Sequence, residues 1–514
     1  MTDRALAALL FGGAALISGI TILQGIQPND EGLMLQAAAR VADGQVPYGD
    51  FWWFYPPGQP YLLAFLWQLF GPSLLTWRIV RVLCDAAVAT LAWALARRGG
   101  ASQRLALATW LAAALAMAWP SGPHPFPPTL AMALGALLLM EKRPVLAGGL
   151  AGLAAVWRIE FAAYLGVGML LAYAMRPVPR REQAEAAALF AGAALGVAAL
   201  LYAPVVFTAG LGDSFDLLIR YPVQDFSHYQ SLPFPVDFDG VLNTSSIGGF
   251  LSDSAESLLL FYLPLVLMIG LVGAVAALAL RYKRARWWQV AGGVFAIGMA
   301  HYLVTRPDAF HTAPLAVMVA VLASWAVASR ADPARGGRLR SVGVVAAVLA
   351  VAYATVEGID RRWLELRPER AELRLPVADG VRVARSEREP LERTVRYVRA
   401  HTRPGEPIYV APKRSDLVTA SAPLLYVLAD RPNPTRYDIA APGIVTSEPV
   451  QDEIVGDLQR TGVRVVIRWT DPASAAREPN RAGRSSGVTV LDAYLAASFR
   501  RVARYGDYEL LARR

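Results

Sequence analysis

Apolar runs alternate with short charged connections along the first two-thirds of the chain. The runs begin near residue 5, recur as far as residue 357 and then stop. Repeated apolar stretches with few charges predict helices that cross a lipid bilayer. We interpret eleven stretches as membrane spans: 5–24, 74–96, 104–119, 128–140, 145–157, 160–175, 184–209, 256–280, 288–304, 313–329 and 341–357. Residues 1–357 are therefore expected to form one multi-span α-helical membrane domain.

From residue 358 onward the pattern becomes charged and mixed. It predicts short helices and strands: helices at 390–402, 451–460 and 491–497, and strands at 407–410 and 463–469. The stretch 424–428 fits either a helix or a strand. Gly506-Asp507 lies between two β-rich segments and predicts a hairpin. We expect a soluble α/β domain at 358–514. It carries no catalytic constellation, so its predicted role is to cap the site or to receive an acceptor.

Basic residues are concentrated in one set of connections. Counting Arg4, this set holds about seventeen Lys and Arg, against three in the loops 25–73, 120–127, 210–255 and 305–312. Lys and Arg collect on the cytoplasmic side of membrane proteins. The N-terminus is therefore predicted to be cytoplasmic. An odd number of spans then puts the C-terminal domain outside the plasma membrane of a bacterial cell.

The composition agrees with this layout, with 55% apolar residues and a mean hydropathy of +0.36. The net charge of +9 does not indicate nucleic-acid binding, because the basic residues lie in short clusters between apolar runs. The single Cys84 can form no intrachain disulfide. The first apolar run lacks a small-x-small cleavage site near its end, so we expect it to be kept as a span.

Asp30 and Glu31 follow the first span directly. Two adjacent carboxylates where a helix leaves a membrane are costly unless they have a function. Asn29 or Asp30 can cap a helix that begins at Glu31. That helix is predicted to end at Asp43 and to lie along the membrane surface. Its apolar face would be formed by Met34, Ala37, Ala38 and Val41.

An aromatic run, Phe51 to Tyr55, comes next and is followed by Pro56, Pro57 and Gly58. Two interpretations remain open for the run. It fits an interfacial aromatic belt, and it also fits a stacking surface for a sugar or an isoprenoid chain, to which Tyr55 would contribute. Residues 59–70 are predicted to form a short membrane-associated helix.

Three charged residues share one face of the second span, namely Arg78, Arg81 and Asp85. Arginines at this depth must meet carboxylates, phosphates or water. An internal salt bridge to Asp85 explains one arginine. The alternative is that one of them holds Glu31 or a lipid phosphate.

The stretch 145–175 is too short for two full crossings of about twenty residues each. It nevertheless lies between two basic clusters that are both predicted to be cytoplasmic, so the chain must cross toward the outer side and return. The turn at Trp157 to Glu160 would then lie below the outer surface, where polar backbone is tolerated only beside a cavity or inside protein. Arg158 and Glu160 are therefore predicted to line an outward-facing cavity.

Two short outer loops carry further polar residues. Arg306, Asp308 and His311 lie in one, and the guanidinium of Arg306 suits a phosphate, although snorkelling at the interface explains it equally. His124, in the other loop, fits a structural role or the wall of the cavity. The loop 210–255 holds carboxylates that are expected to be solvated or to contact an acceptor. They are Asp213, Asp216, Asp225, Asp237, Asp239 and Asp253, accompanied by His228.

The order of these motifs resembles the C-type integral-membrane glycosyltransferase superfamily. It is most similar to bacterial relatives of the protein O-mannosyltransferases and of the lipid A aminoarabinose transferases. The shared features are an Asp-Glu pair after the first span, a Pro-Tyr-x-Asp-Phe stretch, a Pro-Pro-Gly that opens a helix and an arginine entering the second span. Here these are Asp30-Glu31, Pro47–Phe51, Pro56–Gly58 and Arg78 or Arg81. The resemblance covers about residues 1–357.

The resemblance implies an inverting glycosyltransferase whose donor is a polyprenyl-phosphate sugar. Asp30 would deprotonate an acceptor hydroxyl on a cell-envelope glycan, lipid or protein, and Glu31 would position the site. The donor phosphate would be held by Arg158 and Arg306, with Arg81 and Arg78 as further candidates. No His-Glu-x-x-His motif is present, and a divalent metal is left open because relatives differ in this respect.

Two other functions remain as alternatives. A transporter or flippase for lipid-linked saccharides is disfavoured, because the two halves show no inverted repeat of broken helices. A non-catalytic membrane assembly factor with the same fold is opposed only by the Asp-Glu pair and Arg158.

Overall fold

The computed structural model describes residues 2–117, 124–233, 261–280, 286–307, 310–328, 336–366 and 369–514. Up to residue 366 the described chain is helical. The first eleven helices are α1 Asp3–Gly19, α2 Asp30–Ala42, α3 Gly58–Phe70, α4 Leu74–Arg98, α5 Gln103–Met117, α6 Phe126–Leu139, α7 Pro144–Ala155, α8 Ile159–Ala174, α9 Arg180–Ala209, α10 Leu211–Phe215 and α11 Phe226–Gln230. A π-helical segment, Asp216–Asp225, joins α10 to α11. Then follow α12 Leu263–Leu280, α13 Gln289–Thr305, α14 Thr312–Ala328 and α15 Gly336–Leu366.

Each of the eleven predicted apolar stretches coincides with one of these helices. The fit is close for the second stretch, where Ser73 caps α4 by accepting a hydrogen bond from the Thr76 N–H at 3.3 Å. By length and hydropathy, two described helices, α4 and α9, are long and apolar enough to cross a membrane, and shorter apolar stretches lie in α5 to α8 and in α12 to α15. The number of membrane crossings therefore stays a prediction.

The predicted break in the stretch 145–175 is confirmed, since α7 ends at Ala155 and α8 begins at Ile159. Small residues let α7 pack tightly against α9. A Cβ on Gly148 would lie 2.2 Å from the Phe190 carbonyl oxygen, and one on Gly152 would lie 2.3 Å from that of Ala194. This close packing holds the short hairpin in place.

The C-terminal region combines short helices with strands, as its pattern predicts. Its elements are β1 Arg370–Glu372, β2 Arg382–Ala384, α16 Arg385–His401, β3 Tyr409–Ala411, α17 Leu424–Ala429, α18 Glu448–Arg460, β4 Val465–Trp469, α19 Val490–Ser498, β5 Phe499–Tyr505 and β6 Tyr508–Arg513. One sheet has the order β3-β4-β6-β5, in which β3 and β4 are parallel and the other pairs antiparallel. The hairpin predicted at Gly506 joins β5 to β6. The stretch 424–428, left open by its pattern, is helical.

The C-terminal domain shares a hydrophobic core with the first long loop. Leu35, Trp53 and Trp77 belong to the same buried cluster as Val395 and Ile467. The segment after α1 is also tied to β2, because the Arg382 N–H donates to the Leu23 carbonyl and the Gly25 N–H donates to the Arg382 carbonyl, both at 2.7 Å. The boundary predicted at residue 357 falls inside α15.

Two expectations for the first loop are wrong. The helix α2 does not lie on the membrane surface with one face exposed, because Leu33, Leu35 and Arg40 are buried as well as Met34. The C-terminal domain covers the side that was expected to be free. The aromatic run does not form an interfacial belt either, since Phe51 to Trp53 are buried inside the protein.

Candidate active site

The two adjacent carboxylates lie in opposite environments. Glu31 is fully buried and forms a bidentate ion pair with Arg78, at 2.7 Å and 2.9 Å. The guanidinium of Arg78 also donates to the carbonyls of Ile22 and Gly25 at 2.8 Å and 2.7 Å. All three nitrogens of Arg78 are thus engaged within the protein. Of the alternatives open from the sequence, Arg78 holds Glu31.

Asp30 is exposed in the first turn of α2. The helix N-terminus favours a negative charge there. Its Oδ1 accepts a hydrogen bond from the Asn29 side-chain amide at 2.9 Å. Because Glu31 is enclosed, Asp30 is the member of the pair that a substrate can reach.

Arg158 lies in the break between α7 and α8, directly before the first residue of α8. Its Nε donates to Glu160 at 2.6 Å. Three rings surround its guanidinium, with centroids at 5.0 Å for Tyr302, 5.7 Å for Tyr55 and 5.8 Å for Phe161. Aromatic faces attract a guanidinium group through its positive charge, and the N–H groups at the edge of the guanidinium can still donate hydrogen bonds to an anion.

The Pro-Pro-Gly motif sets the position of this break. The Gly58 N–H donates to the Val156 carbonyl at 2.8 Å. A Cβ at Gly58 would lie 2.6 Å from that same oxygen. Only glycine permits this approach of α3 to the α7–α8 turn, and the approach brings Tyr55 over Arg158.

The Tyr55 hydroxyl is influenced by several of the candidate residues. Burial raises the pKa of Tyr55 to about 12, while Arg158 and Arg306 lower it and Asp30 and Glu160 raise it. Such effects weaken with distance, so these four charges lie within electrostatic range of the Tyr55 hydroxyl. The phenol stays protonated at neutral pH and can donate a hydrogen bond to an anion.

Arg306 follows α13 and turns toward the C-terminal domain. It forms an ion pair with Glu478 at 3.2 Å and donates to the Gln230 carbonyl. The Arg306 side chain is 25% exposed. A carboxylate of the C-terminal domain thus occupies one side of an arginine that the sequence assigns to phosphate binding.

Arg81 is buried and pairs with Asp85 at 3.3 Å. It also donates to the Met117 carbonyl at 3.1 Å. Asp85 further accepts from the Ser18 hydroxyl at 2.7 Å. The internal salt bridge foreseen from the spacing is therefore present, and it ties α1, α4 and α5 together.

Two histidines lie beside these arginines. The ring of His311 lies 4.5 Å from that of Tyr302, and His124 is buried with its ring 4.5 Å from Phe310. Burial lowers the pKa of His124, and the charges of Arg81, His311 and Arg158 lower it further. His124 is therefore neutral at neutral pH. Asp308, also predicted to line the site, lies outside the described residues.

Metal-binding clusters are absent from the part of the chain that the structure describes. No three His, Cys, Asp or Glu side chains approach one another there closely enough to hold a metal ion.

Sequence reasoning missed the residues of the C-terminal domain that contact α2 and the residue before it. Ser421 contacts Asn29 at 2.9 Å, and Asp438 pairs with Arg40 of α2 at 2.6 Å. Partners almost four hundred positions apart give no local pattern. The only signal was the presence of polar residues at buried positions of α2, such as Arg40.

No protein-family model matches the chain, and no curated protein matches it in sequence. Solved structures do match. The crystal structure of ArnT from Cupriavidus metallidurans bound to undecaprenyl phosphate has a TM-score of 0.56 at 14% identity, covering 99% of this chain and 98% of that one. The apo-state structure of the same protein gives 0.57 at 15% identity with the same coverage. The chain therefore has the fold of ArnT, and the resemblance that its motifs indicate is confirmed at the level of the fold.

Proposed function

We propose that this chain is an integral-membrane glycosyltransferase. It transfers a sugar from a polyprenyl-phosphate donor to the hydroxyl of an acceptor. The observations that carry the proposal are an exposed carboxylate, Asp30, at the start of α2 and the guanidinium of Arg158, which lies 5.7 Å from the centroid of the Tyr55 ring; both charges act on the Tyr55 hydroxyl. This reaction needs a base that accepts the proton of the acceptor hydroxyl and a cationic group that binds the phosphate of the donor. The ArnT structure with undecaprenyl phosphate supports a lipid phosphate as the ligand of this fold.

Asp30 is the proposed base, because a hydroxyl is a poor nucleophile and a positioned carboxylate can take its proton. Glu31 is assigned a positioning role, since its buried pair with Arg78 anchors the segment from Ile22 to Glu31. Breaking that pair to free Glu31 would leave a buried charge unpaired.

Arg158 and Arg306 are the proposed ligands of the donor phosphate. Negative charge grows on the leaving phosphate, and fixed cations stabilise it. Tyr55 adds a neutral hydrogen-bond donor beside these arginines, and His311 and His124 lie on the same side of the site. Arg81 is assigned a structural role because it pairs with Asp85. Arg78 is assigned a structural role because it pairs with Glu31.

The reaction is a single displacement. The acceptor oxygen forms a bond to the anomeric carbon while the bond from that carbon to the phosphate oxygen breaks. The electron pair of the broken bond leaves with the polyprenyl phosphate. The acceptor proton moves to Asp30. Inversion at the anomeric carbon follows from attack opposite the leaving group.

The site is proposed to face the outside of a bacterial plasma membrane, as the charge pattern of the loops predicts. The acceptor is then a cell-envelope glycan, lipid or protein. No step of this scheme requires a metal ion.

Asp30→Asn tests the proposal directly. The purified protein is incubated with a panel of labelled polyprenyl-phosphate sugars and membrane extract as acceptor, and release of polyprenyl phosphate is measured. We expect Asp30→Asn to lower turnover at least about a hundredfold, since general-base catalysis contributes about 10²–10⁴-fold. Asp43→Asn, at the opposite end of the same helix, is the matched control.

Full turnover in a folded Asp30→Asn protein would contradict the assignment of the base. Movement of the lipid-linked sugar across a bilayer without cleavage of its phosphate bond would favour a transporter instead.

A further inference from the structure

The C-terminal domain docks on the segment that carries Asp30. The Ser421 N–H donates to the Asn29 side-chain oxygen at 2.9 Å, and the Leu424 N–H donates to the Pro28 carbonyl at 3.2 Å. Gly32 completes the contact, because a Cβ there would lie 2.2 Å from the Leu424 nitrogen. The backbone before and after Asp30 is thus held by a domain that is distant in sequence.

The contact with Ser421 fixes which way the Asn29 amide points. A backbone N–H can only donate, so the side-chain oxygen of Asn29 must face Ser421. The amide nitrogen then faces the other way and donates to Asp30 Oδ1 at 2.9 Å. The Ser421 hydroxyl is itself held, since it accepts from the Ala440 N–H at 3.1 Å.

Asn29 occupies the cap position of α2 but makes no capping hydrogen bond with its side chain. An asparagine at this position normally accepts from a backbone N–H in the first turn, which stabilises the helix. Here both ends of its amide are used differently, one on the C-terminal domain and one on the carboxylate. Helix capping therefore does not account for this residue.

We propose that Asn29 is a positioning residue that couples the C-terminal domain to the catalytic carboxylate. Ser421 orients the amide of Asn29, and the amide holds Asp30 ionised and in one orientation. This inference rests on the proposed role of Asp30 as the base. It gives the C-terminal domain a part in the chemistry beyond covering the site.

The pH dependence of the reaction follows from this arrangement. The charged groups near Asp30 are Glu31, which is adjacent and paired with Arg78, and the three groups that act together with Asp30 on the Tyr55 hydroxyl, namely Glu160, Arg158 and Arg306. A hydrogen bond donated to a carboxylate favours its ionised form, so losing the donor favours protonation. Variants of Asn29 should therefore lose activity mainly at acidic pH.

Two variants separate positioning from docking. Asn29→Asp keeps an oxygen for the Ser421 N–H but replaces the donor toward Asp30 with a carboxylate. Asn29→Ala removes both contacts. We expect the acidic limb of the kcat/KM profile to move up by about one pH unit or more in both, because both lose a hydrogen bond to a charged group. The shift should be larger in Asn29→Asp, because a second carboxylate beside Asp30 disfavours its ionised form.

The control is Gln459→Glu, which adds a negative charge at an exposed position of α18 in the C-terminal domain. Its profile should match that of the unmodified protein. Melting temperature is measured for every variant, because loss of docking alone lowers turnover by the same factor at each pH.

A purely structural Asn29 gives a different result. Asn29→Asp would then keep a normal profile, or either variant would lose activity equally across the pH range, and both outcomes overturn the inference. If Asp30→Asn is inactive while the Asn29 variants behave in this way, the inference fails and the proposed function stands. If Asp30→Asn is fully active, both fail.

Discussion

At the residue scale, the two adjacent carboxylates, Asp30 and Glu31, lie in different surroundings. Glu31 is buried against Arg78, whereas Asp30 is exposed beside Asn29. Successive residues on a helix point about 100° apart, so one side chain can face the protein interior while the next faces the site. The sequence shows two equivalent carboxylates. Their different surroundings identify the structural one and the candidate for chemistry.

The ion pair between Glu31 and Arg78 is predicted to matter more for folding than for turnover. Arg78→Met should lower the free energy of unfolding by about 3–5 kcal/mol, because it leaves a buried carboxylate without a partner. The double variant Glu31→Leu with Arg78→Met should recover much of that loss. Thermal unfolding in detergent, followed by intrinsic fluorescence, measures both.

A double variant as unstable as Arg78→Met would show that the pair does more than satisfy its own charges. Arg158→Ala provides the contrast, since its guanidinium lies among rings near the surface of the site. It should weaken binding of polyprenyl phosphate with a smaller effect on melting temperature.

At the element scale, the helices were predictable and their surroundings were not. The bounds of α4, α7 and α8 follow from apolar runs ended by charged residues, glycine and proline. The helix α2 was also expected, but as a surface helix. Its apolar face was visible in the sequence, and the cover over Leu33, Leu35 and Arg40 comes from the C-terminal domain. Periodicity reports which face is apolar and not what lies on the opposite side.

Gly32→Ala tests the contact between α2 and α17. The added Cβ meets the Leu424 backbone nitrogen, which cannot move aside as a flexible side chain would. Overpacking of this kind costs about 1–3 kcal/mol. We expect a lower melting temperature, faster proteolytic separation of the C-terminal domain and reduced turnover.

Gly12→Ala is the matched control for this substitution, because nothing lies within 4 Å of a Cβ at Gly12 in α1. Alanine is the better helix former, so this variant should be neutral or slightly more stable. Equal behaviour of the two variants would show that α17 does not press on α2.

At the scale of the whole molecule, two ion pairs among the described residues connect the C-terminal domain to the rest of the chain. Arg40 and Asp438 form a buried pair with an N–O distance of 2.6 Å. Arg306 and Glu478 form a partly exposed pair with an N–O distance of 3.2 Å. The first pair holds α2. The second places a carboxylate on an arginine proposed to bind phosphate, so we predict that the domain and the donor compete for this cation.

Glu478→Gln is expected to strengthen binding of polyprenyl phosphate several-fold, because the competing charge is removed from Arg306. Stability should change by less than about 1 kcal/mol, as for other exposed pairs. Binding is measured by titration of the purified protein with short-chain polyprenyl phosphate. Glu406→Gln, which removes a similar pair with Arg464 on the C-terminal domain, is the control.

Unchanged affinity in Glu478→Gln, or an equal gain in Glu406→Gln, would contradict this competition. A gain confined to Glu478→Gln would instead support Arg306 as a phosphate ligand and the C-terminal domain as a participant in donor binding.

The sequence by itself determined the series of apolar helices, the mixed helices and strands that follow it, the break at Arg158 and the choice of Asp30 and Glu31 as candidate site residues. These follow from local physics, because hydrophobic periodicity, chain breaks and isolated charges are properties of neighbouring residues. Only the tertiary structure decided which carboxylate is enclosed, which arginines are already paired and that Ser421, Asp438 and Glu478 contact Asn29, Arg40 and Arg306. Those choices depend on contacts between residues far apart in the chain, and no local pattern contains them.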